Sequence, residues 1–353
     1  MTRDDDQSRT EDDDRSRAES DDSRAEAFRA NTPGTDVELP YAGIDTFLKA
    51  PYRDVTAVDG ADAAVLGVPY DGAVSNRPGA RYGPGAIREA SAWWAYLSGY
   101  KGGLTNVRTG NTVDFGALDL VDCGDVPVFP MDRERTAESV TAHVATVAAE
   151  GAMPVLLGGD HYCTFPAVRG FAEGIDADRI GLVQIDAHSD TVAESPVFGE
   201  HFHGSSTHHV AASPICDYEH VAQVGIRGYE SPDFLAFADE VGLGLYTRSD
   251  VADRGVRSVV EEAVEQVADG ADAVYVTFDI DAVDPSVAPG TGTPEPGGLS
   301  ADEALAVMET VGARDCVGAV DLMEVAPTYD PTEGTQRLAA SLLVTFLERQ
   351  FAE

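Results

Sequence analysis

Asp186-Ala187-His188-Ser189-Asp190 places three groups able to ligate a metal on alternate residues. An extended or turning backbone aims alternate side chains to one side, so the three can converge on one point. A second cluster, Phe278-Asp279-Ile280-Asp281, sets two carboxylates two residues apart at the end of an apolar run. Like charges that close need a cation to coexist. A third, Gly158-Gly159-Asp160-His161, follows another apolar run, and its paired glycines let the backbone turn sharply and set His161 at the strand's mouth. Together His161, Asp186, His188, Asp190, Asp279 and Asp281 supply two imidazoles and four carboxylates. One divalent ion cannot use all of them and keep a position open for substrate, whereas two ions sharing bridging carboxylates can. The oxygen-rich set favours Mn²⁺, with Ni²⁺, Fe²⁺ or Co²⁺ also suited to imidazole. The expected site is binuclear.

Each cluster sits where a short β-branched run ends. Such runs occur at 63–69, 119–123, 154–158, 181–186, 221–226, 243–247, 273–280 and 317–323, with helical periodicity at 136–150, 258–269 and 301–311 and a closing helix at 335–350. Apolar strands separated by helices imply a parallel sheet covered on both faces. The expected fold is α/β, a single three-layer α/β/α domain with a parallel sheet of about eight strands, whose ligand crevice lies at the strands' C-terminal ends. Residues 1–30 carry 11 acids and 6 arginines with Phe28 as the one aromatic. That composition cannot repay ordering entropy, so an acidic disordered tail is expected there and a catalytic domain over 31–353.

Over its 353 residues the chain has 62 Asp+Glu against 24 Lys+Arg, a formal net charge of −38. Such a field repels phosphate backbones and anionic headgroups, which excludes nucleic-acid and membrane-surface partners. Lys49 and Lys101 are the only lysines. Acid excess with few lysines suits a salt-rich cytoplasm, where screening relieves the repulsion, and points to a halophile. No run approaches the roughly 18 apolar residues of a membrane span and the polar N-terminus lacks a signal core, so a cytoplasmic protein is expected. The scattered cysteines 123, 163, 216 and 316 form no CxxC pair and suggest neither a disulfide framework nor a thiolate zinc site.

At the three metal motifs, and over about residues 60 to 350, the chain resembles the ureohydrolase family, which includes arginase, agmatinase and related guanidino hydrolases. The likeness extends to Gly67-Val68-Pro69-Tyr70-Asp71, Arg77-Pro78-Gly79-Ala80-Arg81-Tyr82-Gly83-Pro84, Ala288-Pro289-Gly290-Thr291-Gly292-Thr293-Pro294-Glu295 and Met323-Glu324-Val325-Ala326-Pro327. Tyr162, where Ser or Thr is usual, and Thr277, where Ser is usual, are small departures. The resemblance implies that His161 and Asp190 hold one ion, His188 and Asp281 the other, and Asp186 and Asp279 bridge them. It implies that the cations lower the pKa of a bridging water, and that the hydroxide attacks the guanidinium carbon. Asp190 would then shuttle a proton to the leaving amine, giving urea and an amine. Glu324 matches the glutamate that pairs with the guanidinium, and His203 the histidine beyond the metal shell that helps move protons. A homotrimer or homohexamer is implied as well.

Among the other histidines, His201 is the nearest competitor of His203. His208 and His209 lie too late after the second motif and are expected to pack, while His143 and His220 receive no role. Arg81 is open between substrate and a partner subunit. Trp93-Trp94-Ala95-Tyr96 is expected to pack the first helix against the core. The stretch 191–202, TVAESPVFGEHF, lacks the Asn-Thr start and the Ser-Gly-Asn before His-Gly with which arginase-type sites hold an amino acid, so arginine is disfavoured. It also has no Lys or Arg, and Glu194 and Glu200 suit a cationic tail. Agmatine, giving putrescine and urea, therefore ranks first, then free guanidine, then guanidino acids such as guanidinobutyrate and guanidinopropionate, unless Arg77 or Arg81 folds over the pocket. Two rivals remain. A one-zinc deacetylase-like hydrolase would have no use for His161 and both outer aspartates, and a silent binding protein on this fold would be expected to have lost a ligand, His203 or Glu324.

Overall fold

The structure is a computed structural model that describes residues 39–351, so the acidic stretch 1–30 lies outside the described residues. After β1 (Ala63–Gly67) comes α1 (Gly83–Lys101), then a short antiparallel hairpin of β2 (Leu104–Thr105) and β3 (Thr112–Val113), then β4 (Leu120–Asp125). The chain continues through α2 (Arg133–Ala149), β5 (Met153–Leu157), α3 (Thr164–Ile175), β6 (Ile180–Ile185), α4 (Ser206–Ala211) and β7 (Val221–Ile226). It closes with α5 (Phe234–Val241), β8 (Gly244–Thr247), α6 (Arg248–Arg254), α7 (Val256–Ala268), β9 (Ala273–Asp279), α8 (Ala301–Val311), β10 (Val317–Met323) and α9 (Gly334–Phe351).

Eight of these strands form one parallel sheet in the order β4-β1-β5-β10-β9-β6-β7-β8. The chain leaves β5, skips two positions to lay down β6, and returns at its end to fill the gap with β9 and β10. Four strand ends that are far apart in sequence therefore lie side by side, with Phe278 registered against both Ile185 and Leu322. Alternate side chains serve opposite layers: Val155 and Leu157 join the layer of α1, α7, α8 and α9, while Leu156 joins that of α2, α3 and α5. This is the single three-layer α/β/α domain that the apolar runs imply.

All eight expected sheet strands are present, β7 and β10 with the expected ends and the others with ends shifted by one or two residues. β1 stops at Gly67 rather than 69, since Pro69 has no N–H to extend the ladder. The helix starting at Ala301 is anchored by a capping box: Ser300 Oγ accepts from Glu303 N, and the Glu303 carboxylate accepts from Ser300 N. Across the sheet's edge, buried Arg88 on α1 grips buried Asp122 on β4 through Nε and Nη2 at 2.8 and 3.0 Å. Asp122 also accepts Phe47 N at 2.7 Å, tying the segment before β1 to the sheet. All four cysteines are free, and no helix among the described residues is long and apolar enough to cross a membrane.

Candidate metal centre

The ends of β5, β6 and β9 deliver the three clusters to one place. At β5, Gly158 and Gly159 serve close approach rather than a left-handed turn. A Cβ on Gly158 would lie 1.8 Å from Met323 Sδ, and one on Gly159 1.8 Å from the Tyr70 carbonyl. Only glycine lets this strand end slip between its neighbours and seat His161.

His161 is buried, and its Nδ1 faces Asp186 Oδ2 and Asp190 Oδ2 at 3.0 Å each and Asp279 Oδ2 at 3.3 Å. That nitrogen has no hydrogen-bond partner. Its other nitrogen, Nε2, is 2.9 Å from the Thr277 hydroxyl. His161, Asp186 and Asp190 form one group able to hold an ion, and Asp186, His188 and Asp281 form a second. Asp186 belongs to both, with Oδ2 toward His161 and Oδ1 3.7 Å from His188 Nδ1, which itself lies 3.1 Å from Asp281 Oδ2. Asp279 reaches the first group through Oδ2, while its Oδ1 accepts Asp281 N at 2.8 Å.

The electrostatics favour positive charge here. Burial, and then repulsion from neighbouring carboxylates, raises the pKa of Asp190, Asp279 and Asp281. Against the lowering effect of burial, the facing carboxylates of Asp186, Asp190 and Asp279 drive His161 well above its ordinary value. Asp281 and Asp186 likewise push His188 up to about 12. Burial pushes Asp186 up, but His161 and His188 outweigh it and hold the group well below the usual carboxylate range. Four clustered carboxylates with an unpartnered buried nitrogen aimed among them fit divalent metal.

A shell of polar groups fixes this arrangement. Gln184 on β6 donates to Asp186 Oδ2 at 2.7 Å and is itself held by Thr207 and Gln223. Behind His161, Thr277 and Thr164 connect to Asp321, a carboxylate buried in the middle of the sheet that burial pushes up to about 6. Asp190 and Glu324 adopt φ of 50° and 64°, left-handed backbone that non-glycine residues enter rarely and that is enriched at functional sites. Thr277→Val, which keeps the shape and removes the hydroxyl that orients His161, is expected to weaken metal affinity about 10- to 100-fold with the fold intact. Metal titration followed by circular dichroism checks this.

Glu324 Oε1 accepts His161 N at 3.0 Å and lies 2.8 Å from His203 Nδ1. Its Oε2 is buried and unpartnered. A cavity of about 230 Å³ opens beside the cluster, lined among others by Asp190, Asp279, His188, His203, Ser75, Tyr229 and Glu230. Glu230 follows β7 and accepts Ser189 N at 3.0 Å. Glu194 and Glu200 do not line the cavity; both are exposed on the loop after Asp190. Arg77 donates to the Thr291 and Gly292 carbonyls and Arg81 pairs with Asp71, so neither folds over the cavity. His201 and His209 pack together with ring centroids 4.4 Å apart, and His208 bonds Tyr218, as packing histidines should. Trp94 packs on the core, and Trp93 and Tyr96, with rings tilted 35° to each other, lie away from the cavity.

Residues 61–348 match the sequence profile of the arginase family. The chain belongs to the arginase family. Proclavaminate amidinohydrolase of Streptomyces clavuligerus is 38% identical over 305 residues, 86% of this chain and 91% of that protein. An agmatinase of Chromobacterium violaceum is 37% identical over 315 residues, 89% of this chain and 91% of that one. Among solved structures, a hypothetical agmatinase from Burkholderia thailandensis superposes with a TM-score of 0.76 at 33% identity, covering 90% and 93% of the two chains. The arginase-family chain is thus a ureohydrolase, of a family of binuclear metal enzymes whose centre the His/Asp group fits. This membership displaces the one-zinc deacetylase reading.

Proposed function

We propose that the enzyme hydrolyses agmatine to putrescine and urea. One observation supports agmatine over guanidino acids: apart from the metal-facing Asp190 and Asp279, the described lining of the cavity holds one carboxylate, Glu230, and no Lys or Arg. A guanidino acid's carboxylate would enter that field unpaired, whereas a second ammonium is welcome there. In this reading His161 and Asp190 hold one ion, His188 and Asp281 the other, and Asp186 and Asp279 lie between. The pair, Mn²⁺ from its oxygen-rich donors, supplies when bound the Lewis acidity that makes water nucleophilic near neutral pH. Glu324 Oε2 takes the guanidinium, Asp190 carries a proton toward the leaving nitrogen, and His203 exchanges protons at the cavity wall.

The test is kcat/KM for agmatine, guanidine, guanidinobutyrate and arginine at one salt concentration. Agmatine should lead the guanidino acids by about tenfold or more, equal to about 1.4 kcal/mol of transition-state binding. A tenfold lead for guanidinobutyrate would overturn the assignment. Glu230 stands at the exposed rim, so Glu230→Gln should raise KM for agmatine only about three- to fivefold and leave guanidine unchanged.

The proposal extends to the setting of the enzyme: an acidic segment 1–30 separate from a catalytic domain 31–353, in a homotrimer or homohexamer, in the cytoplasm of a halophile. Residues 1–30 carry 6 − 11 = −5, so removing them leaves −33 on the rest and repulsion persists without them. Circular dichroism should show unfolding between molar and millimolar KCl, and an unchanged spectrum would refute salt dependence. Sizing in high salt should exceed a monomer's mass.

A further inference from the structure

The loop 70–79 is pinned from several sides. Asp160 Oδ2 accepts Ala73 N at 2.7 Å, Asp71 Oδ2 accepts Gly79 N at 2.7 Å, and Asn76 Nδ2 donates to the Gly292 carbonyl at 3.0 Å. The Ala73 carbonyl in turn accepts His203 N at 3.0 Å. This bracing sets half-buried Ser75, on the cavity wall, against the His203 ring. Ser75 N donates to His203 Nε2 at 3.0 Å, and Ser75 Oγ lies 2.6 Å from the same nitrogen. The opposite nitrogen, Nδ1, faces Glu324 Oε1 at 2.8 Å.

We propose that Ser75 is a positioning residue for the hydrolysis, holding the His203 ring in place in both of its protonation states. The inference rests on the proposed ureohydrolase role of His203. An amide N–H can only donate, so it suits the neutral ring, with Nδ1–H given to Glu324 and a lone pair at Nε2. Glu324, Asp190 and Asp160 are the charged groups facing the ring, and against burial they favour the imidazolium, pushing its pKa up to about 9. In that state Nε2–H needs an acceptor, and the amide cannot be one. The hydroxyl supplies it. Oγ–H donates to the neutral Nε2, and after the ring gains a proton Oγ accepts from Nε2–H while keeping its own hydrogen. A proton can therefore come and go at Nε2 without the ring leaving Glu324.

Ser75→Ala should lower kcat about 10- to 100-fold with KM within about twofold and metal content unchanged. Its pH profile should shift to lower pH on the limb set by His203, because the charged ring loses its acceptor. Ser75→Thr should recover most of the rate, and Ser75→Ala placed on His203→Ala should cost nothing further. A kcat within twofold of wild type in Ser75→Ala, or a loss that adds in full to that of His203→Ala, would overturn the proposal. If Ser75→Ala does not fold by circular dichroism, Ser75→Thr against Ser75→Val decides, since the pair differs by the hydroxyl alone; equal rates overturn it. A wild-type chain that releases no urea from any guanidino compound fails the functional reading itself, whereas an active wild type with an undiminished Ser75→Ala fails this inference alone.

Discussion

Asp279→Ala is expected to lower metal content from about two ions per chain to one or fewer and to slow urea release by about a thousandfold, the cost of losing several kcal/mol of Lewis-acid stabilisation. Two effects combine. Asp279 Oδ2 is one of the three carboxylate oxygens around His161 Nδ1, so the variant removes a charge from the middle of the cluster. Its Oδ1 also caps the turn that begins at Ile280 by accepting Asp281 N, so Asp281 loses the bond that aims it at His188. Asp279→Asn keeps a hydrogen-bond acceptor and removes only the charge. It should hold more metal than the alanine variant yet fall well short of wild type. Elemental analysis of the desalted protein alongside a urea assay reads both quantities. Unchanged metal in Asp279→Ala would exclude this residue from the centre.

Arg88→Met is expected to be the most destabilising change far from the site, at about 3–5 kcal/mol, the usual cost of leaving one partner of a buried ion pair uncompensated. Arg88 and Asp122 are 5% and 0% exposed, and the guanidinium also reaches Asp125 and the Gly124 carbonyl. Without it the Asp122 charge remains in the core, attached to the amides of Phe47 and Gly124. Adding Asp122→Asn should recover part of the loss, because the amide keeps an acceptor for Phe47 N and carries no charge. Denaturant midpoints at fixed molar KCl check the pair, with an unchanged slope showing that stability rather than compactness moved. A loss below about 1 kcal/mol in Arg88→Met would show that the pair is solvated in the native protein.

The sheet was legible because most of its strands are short apolar runs ended by Gly, Pro or Asp, and a strand buried on both faces leaves that signature. The β2–β3 hairpin was not, since its strands are two residues each and leave no period to read. The six clustered His and Asp residues were visible because alternation at strand ends fixes their directions locally. Residues brought by long loops were not. Glu194 and Glu200 follow Asp190 closely in sequence yet stay exposed, while Glu230, from the end of a neighbouring strand, lines the cavity instead. Ser75 meets His203 across 128 residues, through a loop held by Asp71 and Asp160, and nothing in its own neighbourhood announces that contact. Thr277 showed as a one-methyl departure from a family motif; only the geometry gives its hydroxyl a partner in His161 Nε2. The paired glycines 158 and 159 mark the right place in the sequence, but they admit neighbouring atoms rather than turn the chain.

His161, Asp186, His188, Asp190, Asp279 and Asp281 are proposed to act as one centre for two ions. Titrating metal-free protein with Mn²⁺ while following both bound metal and urea release tests it most directly. Activity should rise with the second equivalent and level off at about two ions per chain. Full activity reached with a single ion bound would contradict it.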